Sequence, residues 1–306
     1  MPRHSSSHRS RSVLTVDNFA LEAPLLRQVF DERFEEPRST RSDRFVWDWW
    51  HVPGQYTALR TPAWTYFPKD IYEAFHRRLV AWGRETLGCH DISPPWLSCY
   101  VDGCRQDFHG DLPHGPFAFV YSLTNWRTRT FRGGETMLLR DDVLDYWADF
   151  RSEQSIEEPD LIRTIEPTFG RLTVFDPRIP HGVREVTGTR DPREGRLVIH
   201  GWFVQPRPFI DGPLRVQALS DRTEDLGRVL GTTTLPLAGM IAFAFDVDRA
   251  GHTQQVRVLS DTTRVPSADE RERVRLIARL KRTIATWQFG KQRGTSRVTL
   301  PIVLER

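Results

Sequence analysis

Short apolar runs follow one another from Trp96 to Val204, and Gly, Pro and Asp separate them. Runs of this length, rich in aromatic and branched residues and bounded by turn residues, are typical of β-strands. Many short strands in succession predict a sandwich or a barrel. The predicted strands are WLSCYV, FAFVYSL, ETMLL, RLTVF, HGVREV and RLVIHGWFV.

Helices are predicted on the N-terminal side of these strands, around Leu21–Phe34 and Asp70–Leu87. In the second segment, apolar residues at spacings of three and four form one face: Ile71, Phe75, Leu79 and Trp82. The segment DDVLDYWADFRSEQSIEEPDL at 141–161 is predicted to be a helix or a long insertion. The aromatic-rich stretch 45–64 is expected to be core packed against the strands, part of a substrate wall or a lid, with core favoured.

The composition restricts the classes of protein to consider. With 306 residues, 39% hydrophobic and 27% charged, the chain is long enough for two globular domains. No run approaches the ~18 apolar residues of a membrane helix. The net charge of +3 comes from 43 basic and 40 acidic residues that are interspersed, which is too small a bias to indicate a nucleic-acid or membrane partner.

The cysteines and the N-terminal residues indicate the compartment. Cys89, Cys99 and Cys104 are odd in number and form no CxxC pair, which argues against a disulfide framework and a cysteine zinc site. We therefore expect a reducing, cytoplasmic environment. Residues 1–13, MPRHSSSHRSRSV, are rich in Arg and Ser without an apolar core, which predicts a disordered tail rather than a secretory signal.

The stretch DFHGDLPHG at 107–115 contains a histidine and a carboxylate on either side of one glycine. In an extended backbone His109 and Asp111 point the same way, because side chains alternate with period two. His181 follows a turn in VFDPRIPHGV. Two histidines and one carboxylate can hold one face of non-haem Fe(II) and leave three positions open. By itself the pattern is weak, and polar loop residues remain the alternative.

The order of the surrounding motifs is more specific. From Leu97 to Phe203 the chain resembles the double-stranded β-helix of the 2-oxoglutarate/Fe(II) dioxygenases, in particular the prolyl-4-hydroxylase-like branch. The matching features, in order, are Cys99-Tyr100, the HxD pair, SLTNW at 122–126, GGET at 133–136, FGRLTVFDP at 169–177, PHGV at 180–183 and an R-x5-W strand from Arg196 to Trp202. The resemblance implies a jelly-roll core, over about 96–205, with His109, Asp111 and His181 as iron ligands.

The resemblance also implies 2-oxoglutarate and O2 as cosubstrates, with ascorbate as an additional reductant. The far carboxylate of 2-oxoglutarate would need a cation, and the planar fork of arginine pairs with a carboxylate through two hydrogen bonds. We choose Arg196, which opens an apolar strand at the family position. It follows His181 by fifteen residues, a longer gap than is usual in this branch. Arg190 in the turn TGTRDPREG therefore remains the alternative.

Alternation along RLVIHGWF places Arg196, His200 and Trp202 on one face. His200 is expected to contact the cosubstrate or a water, or to be a hydrogen-bonded core histidine. Tyr100 and Ser122 are expected to add hydrogen bonds to the far carboxylate. His114, outside the HxD alternation, is expected to contact substrate or a metal ligand.

The C-terminal third is predicted to be a separate α+β unit, residues 211–306, after a dioxygenase domain at 14–210. The Pro/Gly-rich QPRPFIDGP at 205–213 is predicted to be a linker. Strands MIAFAFDVD and TQQVRVLSD, a helix opened by a capping box at Ser267–Glu270, and a final strand SRVTLPIVL follow. The helix is expected to present Val274, Ile277, Lys281, Ile284 and Trp287 on one side. Residues 235–304 resemble the C-terminal domain of TonB-like proteins, which implies a protein-interaction role.

The function expected from these features is hydroxylation of an unactivated C–H bond in an amino-acid, peptide or small-metabolite substrate, with release of succinate and CO2. Asp111 favours hydroxylation, because halogenating relatives lack this carboxylate. One alternative is a nucleic-acid demethylase, although base flipping requires a basic face that the interspersed charges do not supply. The other is a metal-binding jelly-roll sensor without catalysis, against which the complete set of two histidines, aspartate and arginine argues.

Overall fold

The structure is a computed structural model that describes residues 13–35, 46–111, 114–140, 143 and 155–305. Contacts within the chain divide it into two compact units. Residues 13–79 and 92–204 form the first unit, and residues 80–91 and 205–305 belong to the second. None of the described helices combines the length and apolar composition that a membrane span requires.

The described strands are β1 (Val13–Val16), β2 (Asp48–Val52), β3 (Tyr56–Pro62), β4 (Cys89–Ile92), β5 (Trp96–Tyr100), β6 (Arg105–His109), β7 (Phe117–Ser122), β8 (Thr136–Leu139), β9 (Ile162–Ile165), β10 (Leu172–Phe175), β11 (His181–Val183), β12 (Arg196–Pro206), β13 (Phe209–Asp211), β14 (Ala238–Val247), β15 (Thr253–Asp261) and β16 (Ser296–Glu305). The described α-helices are α1 (Ala23–Glu35), α2 (Ala63–Tyr66), α3 (Lys69–Thr86), α4 (Glu158–Leu161), α5 (Val216–Gly231) and α6 (Glu270–Ala285).

The first unit is built on an antiparallel sheet with the order β1-β10-β7-β12-β5-β3-β6-β11-β8-β9, and β2 pairs with β3. Residues from β3, β5, β6, β7, β8, β10, β11 and β12 line one common cavity. The sheet therefore curls around this cavity as an open barrel. The sequential strands β5 and β6 are separated in the sheet by β3, and β7 and β8 lie far apart, as a jelly-roll topology requires.

The two faces of the central strands have different surroundings. Along β7 and β12, one set of alternating side chains faces the cavity and the other packs outward. On the outward face Tyr121 packs on Phe75 of α3, with ring centroids 4.8 Å apart. Both faces are buried, which explains why these strands are continuous apolar runs in the sequence.

The second unit is a four-stranded antiparallel sheet in the order β13-β16-β14-β15, with helices α5 and α6. Leu219 and Leu226 of α5 and Leu276 and Leu280 of α6 are buried in the same apolar cluster as Phe243 of β14. The predicted fold class, a double-stranded β-helix core with N-terminal helices and a small C-terminal α+β unit, is confirmed.

Two local predictions in the second unit are wrong, and one helix was not predicted. The segment at 205–213 is not a free linker, because Phe209–Asp211 pairs with Arg297–Thr299 of β16. Helix α5 was not expected from the sequence. Helix α6 begins at Glu270, after a 3-10 turn at Ser267–Asp269, and the N-cap residue Asp269 makes no side-chain capping bond.

The buried side of α6 also differs from the predicted one. It consists of Arg273, Leu276, Leu280 and Ile284, whereas Lys281 is exposed. The guanidinium of Arg273 bonds Asp261 and Glu270, each at 2.6 Å, so the charge is paired where it is buried. Most of the predicted helix or insertion at 141–161 lies outside the described residues; within it, α4 covers Glu158–Leu161.

Candidate metal centre

Strand pairing brings the two predicted histidine ligands together. His181 of β11 lies directly opposite His109 of β6 in an antiparallel pair, and the ring centroids are 4.4 Å apart. Asp111 follows β6 after one glycine, and its backbone N–H donates to the carbonyl of Pro177 at 2.9 Å. The ligand atoms of His109, Asp111 and His181 all lie within 4.8 Å of one another. The structure thus gathers the three predicted ligands at one point.

Gly182 permits the close approach of the strands that carry the two histidines. A Cβ at this position would lie 2.4 Å from the carbonyl oxygen of Gln106, well inside van der Waals contact. The register between β6 and β11 is irregular between His181 and Val183, at this glycine. The glycine of the PHGV motif is therefore explained by the close packing of β11 on β6, which leaves no room for a side chain.

The hydrogen bonds of the two imidazoles indicate their tautomers. Nδ1 of His109 lies 2.9 Å from the carbonyl of Asp107, and Nδ1 of His181 lies 2.8 Å from that of Ile179. A carbonyl oxygen only accepts, so each Nδ1 carries the proton and a neutral ring has its lone pair on Nε2. Each Nε2 is 3.3 Å from an oxygen of Asp111. The Nε2 atoms of the two histidines and a carboxylate oxygen of Asp111 are thus three acceptors that point to one place, which favours a cation between them.

The electrostatics keep the carboxylate ionised. Burial opposes the charge on Asp111, but contacts with His109 and His181 outweigh it and hold the pKa of that carboxyl well below its usual range. Burial also acts to lower the pKa of His109, but the contact with Asp111 raises it overall. Asp111 is therefore an anionic ligand at neutral pH.

One aromatic side chain holds the carboxylate from the other side, and a second ring packs against that side chain. Nε1 of Trp202 donates to Oδ2 of Asp111 at 3.0 Å. The ring of His114 stacks on the Trp202 indole, with centroids 4.4 Å apart and an interplanar angle of 25°. His114 thus lies against the tryptophan that orients a predicted ligand, and it also lines the cavity.

The three residues open into a cavity of about 550 Å³ that is enclosed by the curled sheet. Arg196 of β12 lies in the wall of the same cavity and is only 1% exposed. Its Nη2 donates to Oγ1 of Thr136 at 3.2 Å, whereas Nε and Nη1 have no hydrogen-bond partner among the described residues. Burial lowers the pKa of Arg196, and Tyr100 and Glu135 offset part of this effect.

The structure separates the two arginines considered for the cosubstrate. The Arg190 side chain is 91% exposed and its nearest acidic partner is Asp102, at 4.0 Å. Arg190 does not line the cavity, whereas Arg196 does. Tyr100 lies beneath the Arg196 guanidinium, and its ring centroid is 4.6 Å from Cζ of Arg196. The contact follows from strand pairing, because the two residues are directly opposite each other on β5 and β12.

His200 and Ser122 have different positions. His200 lines the cavity, and its Nε2 lies 2.8 Å from the hydroxyl oxygen of Ser98. Burial, with Arg196 and Arg60 nearby, lowers the pKa of His200 to about 3, so the ring is neutral. Ser122 is outside the cavity wall, and its hydroxyl donates to the carbonyl of Pro167 at 2.6 Å. The structure therefore does not place Ser122 where it could bond the cosubstrate, because this hydroxyl is already used within the fold.

Several cavity residues were not singled out in the sequence. Thr136, in the GGET motif, accepts a hydrogen bond from Arg196, and the side-chain amide of Gln106 lies 3.2 Å from Nε2 of His109. Trp50 and Arg60, from the aromatic-rich stretch, also line the cavity. The position of Gln106 three residues before His109 is a weak signal. Trp50 and Arg60 come to the site only through the pairing of β3 with β5.

Residues 95–204 match the family model of the 2OG-Fe(II) oxygenase superfamily. The matched segment contains His109, Asp111, His181 and Arg196. No curated protein sequence matches the chain significantly.

Three solved structures with a similar course of the chain are the following. A prolyl-4-hydroxylase from Pseudomonas putida shares 18% identity over 63% of this chain and 92% of its own, with a TM-score of 0.42. A Trichoplax adhaerens prolyl hydroxylase in complex with a hypoxia inducible factor peptide fragment shares 16% over 63% and 84%, with a TM-score of 0.42. HygX from Streptomyces hygroscopicus, with nickel and 2-oxoglutarate bound, shares 14% over 62% and 81%, with a TM-score of 0.41. At this level of similarity none of their activities is transferred to this chain.

The donor atoms of the matched segment fit the two groups named in the family description, 2-oxoglutarate and Fe(II). Two imidazole nitrogens and one carboxylate oxygen match the ligand set that holds one face of non-haem iron. The buried Nε and Nη1 of Arg196 lack hydrogen-bond partners among the described residues, so the guanidinium keeps N–H donors for an anion such as a carboxylate. A buried, unpaired guanidinium costs free energy unless an anion binds there. The site therefore fits Fe(II) and 2-oxoglutarate.

Proposed function

We propose that this protein is a 2-oxoglutarate- and Fe(II)-dependent dioxygenase that hydroxylates a C–H bond of a small-molecule, amino-acid or peptide substrate. One observation carries the proposal. His109, Asp111 and His181 converge on one point of the same cavity in which the Arg196 guanidinium is buried with two unpaired nitrogen atoms. The match of residues 95–204 to the oxygenase family supports it.

The metal and cosubstrate have defined partners in this proposal. His109 and His181 would bind Fe(II) through Nε2, and Asp111 would bind it through a carboxylate oxygen. Arg196 would hold the far carboxylate of 2-oxoglutarate, with Thr136 and Tyr100 beside it. When they are bound, Fe(II), 2-oxoglutarate and O2 together supply the oxidant that attacks the substrate C–H bond, and succinate and CO2 leave.

The residues of the chain position reactants rather than transfer protons. Carbonyl groups fix both imidazoles, and Trp202 fixes the carboxylate, so the coordinating atoms are oriented before metal binds. His200 remains neutral, so it accepts or donates one hydrogen bond without adding charge next to Arg196. The curled sheet encloses the cavity and limits access of water to it.

Turnover without substrate provides the direct test. Purified protein with Fe(II), O2 and 2-oxoglutarate should form succinate slowly, and an Asp111→Ala variant should not. Zn(II) should bind the wild-type protein and support binding of 2-oxoglutarate without turnover. If the wild-type protein binds neither metal nor 2-oxoglutarate, the proposal is wrong. Ascorbate dependence of the turnover would test the predicted reductant.

The same assay separates the alternative functions. A metal-binding sensor would bind the metal but form no succinate, even with excess Fe(II). A nucleic-acid demethylase would show salt-dependent DNA binding with a slope set by the number of phosphates that it contacts. The only charged residues that line the cavity are Arg60, Asp107, Asp111 and Arg196, among the described residues, which favours a small ligand over a nucleic-acid strand.

The C-terminal unit is proposed to bind a protein partner, as the predicted similarity to TonB-like domains implies. Strand β15 stands at the end of its sheet order, and a sheet edge can accept an added strand. We also propose a cytoplasmic location, which the three free and buried cysteines support. A pull-down with this unit, and fractionation of cells, would test the two proposals.

A further inference from the structure

Arg60 is a second guanidinium in the wall of the candidate site. It belongs to β3, where it lies directly opposite Ser98 of β5, the serine that contacts His200. Its Cζ lies 2.9 Å from the ring centroid of Trp50 and 4.4 Å from that of Trp96. Both tryptophans line the same cavity. The guanidinium is thus held between two indole rings, which fixes its plane.

Among the described residues, no hydrogen bond or ion pair explains the position of the Arg60 side chain, and its Nε is buried without a hydrogen bond. Asp48 lies opposite Arg60 on β2 and acts on it electrostatically, but the two side chains form no ion pair. Two other arginines of this unit are paired: Arg171 binds Asp17, and Arg193 binds Asp191. An arginine that faces a cavity while it remains unpaired indicates a ligand with negative charge.

The charges of the cavity point to the substrate rather than to the cosubstrate. Asp107 is paired with Arg105, at 3.0 Å, so it does not neutralise the cavity arginines. In the proposed function the metal takes Asp111 and one carboxylate of 2-oxoglutarate, and Arg196 takes the other. This leaves Arg60 as the cavity cation that is paired with none of the described carboxylates of the cavity wall.

We propose that Arg60, clamped between Trp50 and Trp96, binds a carboxylate of the substrate and thereby selects carboxylate-bearing substrates. The inference rests on the proposed function and narrows its substrate class. A carboxylate is favoured over a phosphate because a single planar guanidinium matches one planar anion, and no further unpaired cation lines the cavity among the described residues. Free amino acids, short peptides bound by their C-terminus, and other small acids have this group.

Matched acid and amide probes test the proposal without knowledge of the true substrate. The probes are N-acetyl-L-amino acids and their carboxamides, which differ in charge but hardly in shape. Each is titrated into the full-length protein loaded with Zn(II) and 2-oxoglutarate, which does not turn over. Binding is followed by tryptophan fluorescence, because Trp50 and Trp96 contact the guanidinium, and is confirmed by calorimetry.

The expected result is that at least one acid binds the wild-type protein about tenfold or more tightly than its amide, as a charge-assisted hydrogen bond implies. In Arg60→Gln this preference should disappear, while the affinity for 2-oxoglutarate changes by less than about twofold. Arg171→Gln, which removes a surface arginine outside the cavity, is the matched control and should keep the preference.

Three results would overturn the inference. They are the absence of any acid preference in wild-type protein that binds 2-oxoglutarate, a preference that persists in Arg60→Gln, and a loss of 2-oxoglutarate affinity in Arg60→Gln. Loading the protein with Zn(II) and 2-oxoglutarate tests the proposed function separately, before any acid or amide is added. If Zn(II) and 2-oxoglutarate do not bind at all, both the function and the Arg60 assignment are wrong.

Discussion

The indole nitrogen of Trp202 donates a hydrogen bond to the same carboxylate, Asp111, that lies between His109 and His181. Trp202 is on β12 and Asp111 follows β6, so the two residues are 91 positions apart in the chain. The bond fixes the rotation of a predicted metal ligand from outside the set of ligands. The R-x5-W spacing thus connects Arg196 and the ligand-orienting tryptophan on one face of one strand.

Replacement of this tryptophan should weaken the metal site while the fold is kept. In Trp202→Phe the ring remains but the N–H is lost, so the Asp111 carboxylate gains rotational freedom. Metal affinity or succinate formation should fall by about 10- to 100-fold, as for other residues that orient metal ligands. Competition titration with Zn(II) measures the affinity. Trp49→Phe, on an exposed side chain outside the cavity, should leave it unchanged.

Arg196 should control cosubstrate binding and have little effect on the metal. Arg196→Lys keeps the positive charge but removes the planar guanidinium. The affinity for 2-oxoglutarate should fall by about tenfold or more, because charge-assisted hydrogen bonds to its carboxylate are lost. Calorimetry on Zn(II)-loaded protein measures it. Arg190→Gln is the control, because that side chain is exposed. A loss of affinity in Arg190→Gln and not in Arg196→Lys would reverse the assignment.

The two glycines beside the histidines should respond differently to alanine. A Cβ on Gly182 would lie 2.4 Å from the carbonyl oxygen of Gln106, so strands β6 and β11 must move apart. His109 and His181, which these strands carry, would then move apart as well. We expect a loss of about 1–3 kcal/mol in unfolding free energy, together with weaker metal binding. A Cβ on Gly110 would have ordinary contacts, at 3.7 Å, so Gly110→Ala should be tolerated. Chemical denaturation and Zn(II) titration test both variants, and equal effects would contradict this account.

The buried neutral state of His200 should make stability depend on pH. Its pKa falls from 6.5 to about 3 because of burial, Arg196 and Arg60, with Asp111 acting in the opposite direction. Between these values the unfolded chain binds a proton that the folded chain does not, so folding stability is lost as pH falls from 6.5 towards 3. The slope from one such group is at most about 1.4 kcal/mol per pH unit.

This effect is isolated by comparison with a variant that cannot titrate. His200→Gln should lose less stability than the wild-type protein over the same acidic range. Denaturant unfolding of metal-free protein at several pH values gives both curves. Parallel curves would show that His200 is protonated in the folded state as readily as in the unfolded chain.

In the C-terminal unit, Arg273 should be the residue most sensitive to removal of charge. It is 1% exposed and binds Asp261 and Glu270, and its Nη1 also bonds Thr263 at 2.9 Å. Arg273→Met leaves Asp261 buried without its cation, which should cost about 3–5 kcal/mol. Arg275→Met, on the exposed side of the same helix, should cost less than about 0.5 kcal/mol. Denaturant unfolding of the full chain compares the two, and similar values would mean that the buried pair contributes little.

The sequence by itself determined the features that depend on short-range geometry. Alternation with period two placed Arg196, His200 and Trp202 on one face, and the HxD spacing placed His109 and Asp111 on one side of the chain. Six of the strands between Trp96 and Val204, and helices α1 and α3, were predicted within a few residues, because both of their faces or one regular stripe are apolar. The polar strands β6 and β9 were not predicted.

The tertiary structure alone decided which distant residues meet at the cavity. Arg60 and Trp50 reach it only because β3 pairs with β5, Arg190 is left outside on an exposed turn, and the Ser122 hydroxyl is taken by Pro167. The short strand β13 and the buried Arg273 likewise depend on partners far away in the chain, β16 and Asp261. Sequence periodicity indicates which face of a strand a side chain occupies. The residues that it meets on that face depend on strand pairing between distant parts of the chain, and no local pattern in the sequence specifies this pairing.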